Sequence, residues 1–234
     1  MWNHINAVGV ELEGTWLNDT VESIESDLGT FVTDGSVHRS NSISPETQAF
    51  VGECKSYRLL TDAGMVERFM REYYPDYVNK TCGLHVHTSM KTPEAWAPLF
   101  SPKFWEAYQR WIEAFAAGVS NEGRKLLGPR LAGENQYCER RWRPDSQFLV
   151  QGYDSPRYAF LNYSLRKHGT LEHRTFCMFP EVDEGVRAVL AYLDFVDNYV
   201  TQALTEPEFN VEEVLRMAAP VGVVVVKPEL VLTL

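Results

Sequence analysis

The chain has 234 residues, 44% hydrophobic and 23% charged, the profile of a globular protein forming one domain over 1–234. A formal net charge of −10 argues against a general nucleic-acid or membrane-surface binder, which presents a basic face, while leaving room for a nucleotide held by local arginines. The four cysteines, Cys54, Cys82, Cys138 and Cys177, form no CxxC pair, and Met1-Trp2-Asn3-His4 begins no charged-then-apolar leader, so reduced thiols in a cytoplasmic protein are expected.

Residues 6–13 read as a buried strand with one acidic face. Asp19 or Thr20 is placed to cap a short helix with Val21, Ile24 and Leu28 inward and Gly29 as its stop. A strand through Phe31 and Val32 leads to Asp34-Gly35-Ser36, the polar stretch from His38 to Thr47 reads as a loop, and a further strand covers about Gln48 to Ser56. Asp62 opens a helix with Val66, Phe69, Met70 and Tyr73 on one face, ended by Pro75. Residues 81–89 form a histidine-bearing strand. Ser101-Pro102 caps and starts a helix lined by Phe104, Tyr108, Trp111, Ile112 and Phe115 and closed by Gly118. Residues 119–156, rich in Arg and Gly, read as irregular.

Strands are then expected at about 157–164 and 169–177, joined near Lys167-His168-Gly169. Asp183 opens a long helix with Val186, Val189, Leu190, Leu193 and Val200 in its stripe. Asn210 and Glu213 make a capping box for a last short helix. Val221–Val226 and Leu230–Leu232 read as closing strands, the former far too short to span a bilayer; this apolar tail suits a sheet edge or an interface, and the oligomeric state stays open. The fold class is α+β, a largely antiparallel sheet with helices on one face and the polar strand residues on the other.

Three strand motifs concentrate the chemistry. In a strand, side chains i and i+2 share a face, roughly 6–7 Å apart. Gly9-Val10-Glu11-Leu12-Glu13-Gly14 therefore points both carboxylates one way, as a solvated outer face or as oxygen ligands for magnesium. Cys82-Gly83-Leu84-His85-Val86-His87 puts two imidazoles on one face. They are structural histidines, a metal or phosphate site, or, in an alternative reading, the zinc ligands of a hydrolase. Gly169-Thr170-Leu171-Glu172-His173-Arg174 pairs Glu172 with Arg174. That is a weak surface ion pair, or a metal ligand beside an arginine that neutralises a phosphoryl group. Arg130, Arg140, Arg141 and Arg143 are either a solvated stretch or a lid over phosphate. The chain has no P-loop, GxGxxG, HExxH or GxSxG motif.

Taken in order, these motifs resemble the amidoligase family of ATP-dependent carboxylate–amine ligases, with its glutamine synthetase and glutamate–cysteine ligase-like fold. Asp34-Gly35-Ser36, Glu53 with Ser56, and Arg157-Tyr158 with Asn162 complete the match, which runs from about residue 8 to 177. The resemblance implies a sheet cupped around ATP and two or more Mg2+ ions. It makes Glu11, Glu13, Glu53, Glu172 and His87 metal ligands, and His85 a further ligand or phosphate contact. Arg157 and Arg174 become charge stabilisers, and Asp34 or Glu53 a proton acceptor. Ser36, Ser56, Asn162 and Lys167 are assigned to substrate or nucleotide binding. The implied partners are small-molecule or peptide carboxylates and amines; a nucleotide-binding relative without turnover is the other reading. Cys54-Lys55-Ser56-Tyr57-Arg58 departs from the family's aliphatic-Ser-Pro pattern after Glu53, so substrate identity does not carry over.

Overall fold

The computed structural model describes residues 1–25, 27–57, 59–140, 158–165 and 168–206. Six antiparallel strands form one open sheet: β1 (Ile5–Leu17), β2 (Gly29–Val32), β3 (Ala49–Ser56), β4 (Leu84–Met90), β5 (Leu161–Ser164) and β6 (Thr170–His173), in the order β2-β3-β1-β4-β6-β5. The helices are α1 (Asn18–Ser23), α2 (Ala63–Tyr73), α3 (Pro93–Trp96), α4 (Pro102–Ala117), α5 (Asn121–Leu131) and α6 (Val182–Thr205), with a 3-10 turn at Ala97–Phe100 after α3.

β1 is central, flanked by β3 on one side and β4 on the other. Its alternation divides the molecule. Val8, Val10 and Leu12 turn to an apolar layer shared with Leu84, Val86 and Leu171 and with α2, α4 and α6. The stripes expected for α2 (Val66, Phe69, Met70, Tyr73) and for α6 are buried there, with Leu190 partly so. Trp111 of α4 stacks on Phe195 of α6 at 4.9 Å between ring centres. The layer also buries His173, whose Nε2 lies 2.9 Å from the Tyr108 hydroxyl; burial holds its pKa well below the usual imidazole range.

Several elements differ from the sequence reading. β1 runs four residues past Glu13 because Thr15 and Trp16 are themselves buried and Thr15 exchanges backbone bonds with Tyr77. It passes straight into α1, which begins at Asn18 with no side-chain cap, so neither Asp19 nor Thr20 caps it; Gly29 opens β2 rather than stopping the helix. The strands expected over 157–164 and 169–177 are shorter, covering only β5 and β6. Residues 119–156 are not wholly irregular, since they contain α5, capped by Ser120, whose hydroxyl oxygen accepts the Gly123 N–H at 3.0 Å. Glu184 of α6 in turn accepts the Ser120 N–H and hydroxyl at 2.7 and 2.8 Å. Gly123 permits this approach, because a Cβ there would stand 2.3 Å from the Glu184 carboxylate.

Asp62 caps α2 and Ser101 caps α4 as read from the sequence. All four cysteines are buried and free, and burial pushes Cys82 and Cys138 up to about 11, away from thiolate chemistry. Among the described residues no helix is long and apolar enough to cross a membrane. The capping box at Asn210 and the strands at Val221–Val226 and Leu230–Leu232 lie outside the described residues.

Candidate metal and anion site

Cross-strand register assembles the site. Glu11 lies opposite Lys55 on β3 and His85 on β4, and Glu13 lies opposite Glu53. His87 lies opposite Glu172 on β6, which lies opposite Asn162 on β5. Because every pairing is antiparallel, alternation carries all of these side chains to the face away from the apolar layer. They line one cleft of about 580 Å³, with Asp34 and Ser36 from the segment after β2, Arg130 from α5, and Arg174 just past β6.

Two donor trios form within it. One oxygen or nitrogen each from Glu11, His87 and Glu172 lie within 4.8 Å of one another, and so do carboxylate oxygens of Glu13, Asp34 and Glu53. The first trio has two carboxylates and an imidazole, a set open to several divalent ions; the second is all oxygen, the preference of a hard cation such as magnesium. The residues fit a cation on a further ground. His87 is 5% exposed, its Nδ1 is 3.1 Å from the Thr170 hydroxyl, and its Nε2 has no hydrogen-bond partner among the described residues. That nitrogen faces Glu11 and Glu172 at 3.4 and 4.0 Å. A buried imidazole fixed through one nitrogen with the other turned to two carboxylates is a ligand arrangement.

The remaining polar groups hold these donors in place. His85 sets Nδ1 3.2 Å from Glu11 and lies 3.8 and 3.9 Å from Glu13 and Glu172, so it braces three carboxylates and belongs to neither trio. Asn162 donates to Glu172 at 2.6 Å, and Arg174 closes an ion pair on the other oxygen. Asp34 accepts both the N–H and the hydroxyl of Ser36 at 2.7 Å. Ser36 therefore stands in the cleft as the support of Asp34. Ser56 lies outside the cleft lining, its hydroxyl oxygen accepting the Val10 N–H at 3.1 Å. Arg157 and Lys167 lie outside the described residues, as do Arg141 and Arg143. Arg140 makes an exposed pair with Glu113.

Two cations emerge that the strand motifs did not mark as site residues. The Lys55 ammonium spans the trios, 2.8 Å from Glu53 and 3.4 Å from Glu11; its place two residues after Glu53 was the available signal. Arg130 enters from a helix that Gly123, Gly128 and Pro129 conceal in the sequence.

The charges balance unevenly. Burial alone would raise Glu11, but the neighbouring His85 and His87 imidazoles overcome it and hold the carboxyl well below the usual range. Glu172 is likewise opposed by burial and lowered by His87, Arg174 and His85. Burial disfavours the charged form of His87, yet the nearby Glu11 and Glu172 carboxylates raise its pKa. Glu53 goes the other way: burial and the Glu11 charge push it up to about 7 despite Lys55. Within the second trio, Glu53 is thus a carboxyl short of positive charge.

Against known proteins, the chain matches no family model and no curated protein.

Proposed function

We propose that the chain is an ATP- and Mg2+-dependent carboxylate–amine ligase of the amidoligase kind, acting on a small-molecule or peptide carboxylate and an amine. The observation that carries this reading is the adjacency of two donor trios, seeded by Glu11 and Glu13 of one strand, in a cleft that also holds buried guanidinium groups. Carboxylate-rich trios beside arginines suit metal-bound phosphates, whereas zinc hydrolysis through both histidines has less support because only His87 enters a trio.

In this reading, an oxygen of the acid attacks the γ-phosphorus of ATP, the bond to the β-phosphate oxygen breaks, and ADP leaves with that electron pair. The amine nitrogen then attacks the acyl carbon of the acyl phosphate, inorganic phosphate departs, and the amide forms. Bound magnesium would supply charge neutralisation on the phosphates, held by Glu11, His87 and Glu172 and by Glu13, Asp34 and Glu53. Arg174, fixed by Glu172 and lying 5.8 Å over the Tyr158 ring, stabilises negative charge at the reacting phosphoryl group. The proton of the incoming ammonium passes to Asp34 or Glu53, carboxylates that line the cleft beside the amine. Positioning and electrostatics supply most of the rate.

The test is a panel of acids and amines with ATP and magnesium. The reading expects ADP and phosphate only when a suitable acid and amine are both present. Zinc-dependent hydrolysis without nucleotide binding overturns it, and nucleotide binding without product across the panel marks a non-catalytic relative.

A further inference from the structure

We propose that Arg130 forms an oxyanion subsite at the Glu13 end of the cleft, its guanidinium gripping a phosphate or carboxylate group that enters beside Gly83. Arg130 is 2% exposed, yet no carboxylate among the described residues forms an ion pair with it, and its Nε has no hydrogen-bond partner among them. Its contacts are neutral: the Arg174 carbonyl oxygen at 3.3 Å and the Cys138 thiol. Arg174, also buried in the cleft, is paired with Glu172. A guanidinium stays charged at any pH a folded protein meets, and burying it without a counterion is costly. A buried charge that lines a cleft with no carboxylate partner among the described residues is a site for an anion, and the planar fork of N–H donors matches phosphate and carboxylate oxygens.

Gly83 gives a second, independent observation. A Cβ at that position would lie 2.6 Å from His85 Nε2 and 3.1 Å from both Arg130 Nη2 and Glu13 Oε2. Only a residue without a side chain lets imidazole, guanidinium and carboxylate converge there, with Glu13 accepting the Gly83 N–H. Glu13 is a member of the all-oxygen trio, so an anion on Arg130 stands next to a cation held by Glu13, Asp34 and Glu53. The Arg174 carbonyl oxygen holds the guanidinium from one side, so less side-chain ordering remains for binding.

The inference rests on the ligase reading only for the source of the anion. The experiment is calorimetric titration of Mn2+-loaded full-length protein with pyrophosphate, with a non-hydrolysable ATP analogue and with succinate, comparing wild type, R130Q and R130K. Loss of a charge-assisted pair is expected to weaken anion binding about tenfold or more in R130Q. R130K, which keeps the charge and loses the fork, falls between, and Mn2+ affinity is kept or tightened in both. R130K also serves if R130Q does not fold. Loss confined to pyrophosphate and the ATP analogue identifies a nucleotide phosphate as the anion; loss confined to succinate identifies the acid. Wild type that binds succinate through Arg130 but no nucleotide sinks the ligase reading and keeps the subsite. Nucleotide binding that is equal in wild type and both variants, with succinate unaffected, overturns the subsite and keeps the ligase reading. Wild type that binds none of the three probes overturns the subsite.

Discussion

Nε2 of His87 stands 3.4 Å from Oε1 of Glu11 across the β1–β4 boundary, and no group among the described residues completes a hydrogen bond to it. A buried imidazole nitrogen facing two carboxylates is satisfied either by a proton, as an ion pair, or by a cation that all three ligate. The first two predictions follow from that competition.

Removing any member of the first trio takes away a ligand. E11Q, H87A and E172Q are each expected to weaken Mn2+ binding by about a hundredfold, since even residues that only orient a ligand cost 10–100-fold. The same variants lose acid- and amine-dependent ADP release. Circular dichroism distinguishes this from unfolding, and wild-type ion affinity in all three variants would remove His87, Glu11 and Glu172 from the metal assignment.

Cation binding should release protons. Burial opposes the charged form of His87, but Glu11 and Glu172 raise its pKa above the ordinary 6.5, so the metal-free protein holds a proton there. In the metal-free state this pairing contributes stability that is fully present below about 6.5 and is lost as pH rises through the raised folded value. Ion binding therefore strengthens from pH 6 to pH 8. Titrations in buffers of different ionisation enthalpy should show proton release at pH 6, and H87Q should release fewer protons.

Glu53 gives a separate stability signature. Burial and the Glu11 charge raise its carboxyl to about 7 in the folded, metal-free chain. A raised carboxyl contributes stability that is present below its ordinary value of 4.5 and is lost as pH rises through about 7. E53Q should therefore raise the metal-free Tm relative to wild type at pH 8 and bring no comparable gain at pH 5. Magnesium should stabilise wild type more than E53Q at pH 8.

A control lies away from the site. Asp197, inside the apolar stripe of α6, accepts the Asn3 and His4 N–H groups at 2.9 and 2.7 Å and ties down the start of β1. D197A leaves those donors without a partner, at a cost of about 2 kcal/mol, or roughly 4–8 °C in Tm for a domain of this size. Mn2+ affinity should be unchanged, because the trios begin at Glu11; a large affinity loss would mean that the strand's entry, and not its side chains alone, sets the site.

What the sequence discloses is local. Alternation within a strand assigns Glu11 with Glu13, His85 with His87 and Glu172 with Arg174 to common faces, and the fold keeps each pair together. The helical stripes of α2, α4 and α6 are legible for the same reason. Cross-strand register is not local: spacing puts Lys55 beside Glu53, but nothing near it says that its ammonium will also reach Glu11, or that His85 will brace three carboxylates while His87 joins Glu11 and Glu172. Ser56 is a site residue only by the family resemblance, and its hydroxyl oxygen is taken by the Val10 N–H. α5 hides because Gly123, Gly128 and Pro129 are poor helix formers, and with it hides the delivery of Arg130. Asp197 carries no local signal of its role, because its partners are the chain's first residues, brought to it by the fold.

In the proposed reading, separate carboxylates from β1, β3, β6 and the segment after β2 hold two divalent ions in one cleft. Anomalous diffraction from crystals grown with Mn2+ and a non-hydrolysable ATP analogue tests it most directly. One manganese peak is expected on Glu11, His87 and Glu172 and a second on Glu13, Asp34 and Glu53, with the triphosphate between them. Manganese elsewhere, or a nucleotide seated away from both trios, would contradict it.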